Sequence, residues 1–190
     1  MERSETSQSE VIERSVVAVT DLCKKTYCET KELHKLVDNH KLVKEIHLPE
    51  NTKIYIDLVE MVLFILEMNF FQLEKSDIFA KLRRNPPITS VIFSDIIKKI
   101  MNDMDNVVLY KSQIYLWYLS LMAGGRILKK VLPEKYNYLF TFDIKKEDLK
   151  SYINQIPEEQ HVEFIENVKI TYKLIEEHFS FSMEKELNKN

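Results

Sequence analysis

The chain has 190 residues, which suits one domain, and its 45% hydrophobic content suffices for a single sizeable core. The net charge of −3 arises from mixed charges without a long single-sign block, which excludes the basic stripe that a nucleic-acid binder wants.

The opening residues, MERSETSQSE, are polar and partly acidic, so they do not read as a secretory signal. No apolar run has the length of a membrane span; the longest, LVEMVLFILEM, is interrupted by Glu60 and Glu67. Cys23 and Cys28 do not stack on one helical face, so no bridge between them is expected, and a reducing compartment follows. A cytoplasmic monomer is expected, with association to the endoplasmic reticulum only if a C-terminal anchor lies beyond KELNKN.

Residues 1–12 are predicted to be a flexible tail and 13–187 a single helical domain. From Ser9 to Asp38, residues such as Val16, Val19, Leu22, Cys23, Thr26, Thr30, Leu33 and Val37 recur every three or four positions, which predicts one long amphipathic helix. HLPENT (47–52) breaks it or the short helix that follows. The next helix, Lys53 to Glu74, is apolar over most of its circumference and should be central, with Phe64, Phe70 and Phe71 in the core.

Asn85, Pro86 and Pro87 stop a short basic helix, IFAKLRR, and a further helix is predicted from Thr89 to Met104 with Thr89 or Ser90 as its cap. Asn106 to Leu132 form the next, ended by Pro133; YNYLFTFD (136–143) is an aromatic connector. Lys146 to Ile156, ended by Pro157, and Glu158 to Leu187 complete an all-α chain without repeats or strands.

The chain's only two glycines, Gly124 and Gly125, sit together in LSLMAGGRILKK, inside a helix. Each costs about 1 kcal/mol against alanine there. Either another helix packs closely on their backbone, or a flat ligand does. A flat ligand needs a second wall, and TKELHKLVDN (30–39) offers one. His34 and Asp38 share a face at i, i+4, a spacing at which a carboxylate can hold one nitrogen of a metal-binding imidazole.

The two segments together resemble the heme oxygenase family. The proximal match is Thr30, Lys31, Glu32, His34, Asp38 and Asn39; the distal match is Tyr115, Tyr118, Gly124, Gly125, Leu128 and Lys129. FTF (140–142) and FIENVKITYKLIEEHF (164–179) extend the likeness over residues 20 to 180 in consistent order. The resemblance implies an all-α, single-domain bundle with heme sandwiched between a proximal and a distal helix. It implies heme as both substrate and cofactor, with His34 as iron ligand and Asp38 orienting it. Gly124, Gly125 and Leu121 would form the catalytic distal wall, and Tyr115, Tyr118, Tyr172 and Phe179 would line the pocket. Lys31 and Lys150 would meet the propionates. Electrons would come from NADPH through a reductase partner, and the products would be biliverdin, carbon monoxide and ferrous iron.

Several positions depart from the family pattern. Leu121 stands where most members carry an aspartate that organises the distal waters, and Ser120 where glycine is usual. Leu121 cannot hydrogen-bond a water, which implies slower turnover and a relaxed choice of meso carbon. LSLMAGG resembles the insect-type members. Tyr27 occupies a usual lysine position, and Met68 or a neighbour replaces a tyrosine of the second helix. The alternatives are a non-catalytic heme-binding protein on the same fold and a helical interaction module that binds no heme. His40 and His47, near helix ends, are expected to be exposed. Glu158 with His161 is a fragment of the di-iron bundle pattern without its second copy, and His178 has the wrong spacing for that pattern.

Overall fold

The computed structural model describes residues 21–73, 77–83, 85–86, 95–102 and 105–188, which are helical with no strand among them. Among these residues eight α-helices run in the order α1 (Leu22–Asn39), α2 (Lys41–Lys44), α3 (Pro49–Leu73), α4 (Asp77–Leu82), α5 (Asp95–Asn102), α6 (Val107–Val131), α7 (Lys146–Ile153) and α8 (His161–Leu187). A 3-10 helix, Glu134–Phe140, takes the place of the aromatic connector between α6 and α7.

Local chemistry sets the helix ends. The Asp21 carboxylate accepts from Lys24 N at 3.0 Å and caps α1, whose expected start at Ser9 lies outside the described residues. The tail boundary near residue 12, Thr89, Ser90 and Met104 lie outside them as well. Helix α3 begins at Pro49, four residues before the expected Lys53, because proline at a first helical position surrenders no needed N–H. Asn106 Oδ1 accepts from Leu109 N at 2.9 Å and starts α6. Helix α4 stops at Leu82, before Arg83, and Asn85 follows with a φ of 45°. Helix α7 closes at Ile153, where Asn154 N turns back to Lys150 O, rather than at Ile156. The last helix opens at His161, after a 3-10 turn over Glu158–Gln160.

The core lies around α3, α6 and α8. Leu58, Val62, Leu63 and Leu66 of α3 are shut from solvent, as its all-round apolarity requires, and Phe64 is half-buried against them. The side chains of Phe70 and Phe71 lie outside the described residues. Glu60 and Glu67, the two charges that interrupt this helix, are buried and hydrogen-bonded: Tyr138 Oη donates to Glu60 at 2.5 Å, and Tyr118 Oη and Asn85 N donate to Glu67 at 3.3 and 2.8 Å.

Helix α8 is the spine on which α1 and α6 both pack. Lys169 Nζ reaches Glu29 of α1 at 3.1 Å, and Gln113 Nε2 of α6 donates to Thr171 Oγ1 at 2.8 Å. Between α1 and α6, with α8 behind, a cleft opens. No helix of the described residues is long and apolar enough to cross a membrane.

Candidate functional site

The cleft has two lobes, of about 360 and 520 Å³, within the range of small-molecule pockets. His34 of α1, Ser120 and Ala123 of α6, and Tyr172 of α8 line both and form the waist between them. The smaller lobe is the more polar of the two. Lys24 comes to it from α1 and Lys146 and Lys150 from α7, one turn apart on one face. Cys23 N donates to Asn154 Oδ1 at 3.1 Å, holding the end of α7 against α1. The larger lobe is apolar: Leu116, Trp117, Leu121, Ile127 and Leu128 wall it from α6, and Tyr55, Ile175 and Phe179 close it from α3 and α8.

His34 is half-buried, with its Nε2 3.5 Å from Asp38 Oδ2 and its ring centroid 5.6 Å from that of Tyr172. The expected His34–Asp38 pairing is therefore present, on the ε nitrogen. Burial pushes the Tyr172 phenol up to about 12, against a smaller opposing effect of the Ser120 hydroxyl, so it is neutral at physiological pH. Burial likewise raises the Tyr115 phenol, whose Oη donates to Cys23 O at 3.3 Å and ties α6 to α1. The Cys23 thiol is pushed up to about 12 by burial and then by Asp21, which makes it an unreactive wall. Cys23 and Cys28 are both free, as expected.

The glycine pair divides its work. Gly124 lines the apolar lobe, and a Cβ built there would meet only Leu128 Cδ1, at 3.8 Å. Gly125, turned about 100° around the helix, is buried; its Cβ would lie 2.9 Å from Phe140 Cβ. Close backbone approach to the cleft thus belongs to Gly124, and helix packing accounts for Gly125.

Other expectations separate in the same way. Leu121, Tyr115, Lys150, Tyr172, Phe179 and Asp38 all line the cleft. Tyr118 does not: its side chain is wholly buried, directed to Glu67 and edge-on to Phe142. Lys31 is exposed and lines neither lobe. Met68 is exposed away from the cleft, and the tyrosine that α3 brings there is Tyr55. His47 is exposed, but His40 is half-buried: Leu42 N donates to its Nδ1 at 3.2 Å, and its Nε2 pairs with Ser180 Oγ at 3.1 Å. His161 is buried with Nε2 at 3.0 Å from Ile156 O, and no cluster of three potential metal-binding side chains occurs among the described residues. Lys24, Lys146, Trp117 and Tyr55 escaped the sequence analysis. Only the i, i+4 spacing of Lys146 with Lys150 gave a sign of them.

The residues present suit heme. A single imidazole, a neighbouring wall where Gly124 leaves a cradle that any Cβ would enter, an apolar bed and cations at one end match a flat amphiphilic dianion that carries a metal.

The architecture is the heme oxygenase fold. Heme oxygenase-1 from the cyanobacterium Synechocystis, in complex with heme, superposes with a TM-score of 0.68 at 18% identity, over 89% of this chain and 95% of that one. Heme oxygenase from Leptospira interrogans gives 0.68 at 17%, over 84% and 98%. Heme oxygenase-2 from Synechocystis, in complex with heme and NO, gives 0.69 at 16%, over 87% and 86%. No family model and no curated protein sequence matches the chain.

Proposed function

We propose that the cleft binds heme, with His34 as the protein ligand to iron, and that the protein cleaves heme oxidatively to biliverdin, carbon monoxide and ferrous iron. The observation that carries this reading is the composition of the lobe that His34 shares with Gly124: one imidazole from α1 and one bare stretch of α6 backbone, with apolar side chains around them. Bound heme supplies the oxygen-activating iron and is itself the molecule consumed, and NADPH supplies electrons through a reductase.

The chain's own residues bind, orient and exclude. Asp38 orients the His34 ring, and Lys24, Lys146 and Lys150 attract the propionates toward the polar lobe. Gly124 lets the ligand approach the α6 backbone, which confines what binds on the distal side sterically. Leu116, Trp117, Ile127 and Leu128 keep bulk water from that face. Leu121 offers no atom to hold a water, and Ser120 supplies the one hydroxyl that α6 presents to the apolar lobe. Proton delivery is thereby weakened, so turnover is slow and the choice of meso carbon mixed.

That hydrocarbon wall also favours a second reading, a heme-binding protein that does not turn over. Aerobic incubation of the protein with one equivalent of hemin and a reductase system or ascorbate separates the two. Soret decay with a bilin product and stoichiometric carbon monoxide supports the oxygenase. A Soret band that forms and persists supports the binding protein.

A further inference from the structure

Among the side chains that α6 sends to the apolar lobe, only those of Trp117 and Ser120 carry a polar atom. The indole N–H is already taken. Trp117 Nε1 donates to Gln113 Oε1 at 3.2 Å, Gln113 Nε2 donates to Thr171 Oγ1 of α8 at 2.8 Å, and Thr171 Oγ1 donates to Asn167 O at 2.8 Å. Gln113 and Thr171 are shut from solvent, and neither lines a lobe of the cleft. The first member fixes the direction of this chain: an indole N–H can only donate, so it takes the amide oxygen and turns the amide NH2 to the threonine. A buried donor without an acceptor is costly, so the indole is held with its N–H on the amide, outside the lobe, and its ring carbons bounding the lobe.

We propose that Gln113 is a positioning residue: through Thr171 it anchors Trp117 to α8 and keeps the indole N–H out of the apolar lobe, so that α6 offers a bound ligand no side-chain donor there but the Ser120 hydroxyl. The placement of the indole stands on these hydrogen bonds alone; its consequence for the ligand rests on the heme reading above. Leu121 withholds a hydrogen-bonding atom because it is hydrocarbon, and Trp117 withholds its own because Gln113 occupies it. In a variant without the amide oxygen, the indole turns to satisfy its N–H from the lobe side.

Trp117 is the only tryptophan of the chain, so fluorescence of the ligand-free protein reports this indole. Gln113→Met, which keeps the side-chain length and removes the acceptor, should shift the emission to the red and raise the acrylamide quenching constant about threefold. Gln113→Glu keeps an oxygen for the indole and should stay close to wild type in both, even where the buried carboxylate lowers stability. Thr171→Val, which frees the amide from α8, should move both the same way by less. Unchanged fluorescence in Gln113→Met, or an equal change in Gln113→Glu, would overturn the positioning role; if Gln113→Met fails to fold, unchanged fluorescence in Thr171→Val would do so. Carbon monoxide then probes the ligand side in the hemin-loaded, reduced proteins. Its C–O stretch should fall in Gln113→Met and return to the wild-type value when Trp117→Phe is added. A stretch that does not fall would overturn the consequence for the ligand. A Soret band in none of the proteins would overturn the heme reading, while the fluorescence still decides where the indole is held.

Discussion

Phe140, at the end of the 3-10 helix, is seated on the backbone of Gly125 so closely that a Cβ there would come within 2.9 Å of Phe140 Cβ. Gly124, the adjacent residue, would offer its Cβ only an ordinary 3.8 Å contact with Leu128. Gly125→Ala should therefore destabilise the fold. An overpacking cost of about 1–3 kcal/mol outweighs the propensity gain of about 1 kcal/mol, because the atom in the way is a Cβ and cannot rotate aside. Gly124→Ala should raise stability by up to about 1 kcal/mol yet weaken hemin binding. Urea unfolding and a hemin titration of both variants check the pair.

Tyr138 and the buried Glu60 make a hydrogen bond of 2.5 Å that satisfies a charged acceptor in the core. Tyr138→Phe should cost about 1.5–3 kcal/mol, since the carboxylate then stays buried with one donor fewer. Unfolding of this variant beside the wild type measures it.

His40 joins the end of α1 to α8 and caps α2 through an unprotonated Nδ1. Burial holds its pKa below the ordinary 6.5, with Glu176 opposing more weakly, and burial also lowers His178. The unfolded chain takes up protons first as the pH falls, so the stability these groups support is complete above about pH 6.5 and declines below it. The urea midpoint should drop between about pH 7.5 and about pH 5.5. His40→Asn, which can keep the cap, should flatten part of that slope.

The lysines of the polar lobe should discriminate among basic residues. Lys146→Glu and Lys150→Glu should each weaken hemin binding by about threefold to tenfold at low salt, less at high salt. Lys31→Glu, placed off the cleft, should leave it within twofold. Hemin titrations at two ionic strengths read this directly.

Much of this arrangement was legible in the sequence because it is local. Periodicity marked α1, α3, α6 and α8, and the i, i+4 rule placed His34 with Asp38. Motif likeness assigns a residue to a segment but not to a side of it. Tyr118 is three residues from Tyr115, about 60° around the helix, and that rotation turns it from the cleft into the core toward Glu67. Lys31 fails similarly, one residue past the cleft-lining Thr30, and Gly125 one past Gly124. Contacts made by chain folding left no local mark. Tyr55 reaches the lobe from α3, and Phe140 reaches Gly125 only because the connector coils into a 3-10 helix. His40 read as a surface histidine because its partners, Ser180 and Phe179, are far along the chain.

The most direct test of the central claim, that His34 binds heme iron in this cleft, is a hemin titration of the wild type, His34→Ala and the exposed-histidine control His47→Ala. The account predicts a Soret band saturating at one equivalent for the wild type and His47→Ala. It also predicts loss of that band in His34→Ala, with recovery on adding free imidazole to occupy the vacated position. An unchanged band in His34→Ala, or none in the wild type, would contradict it.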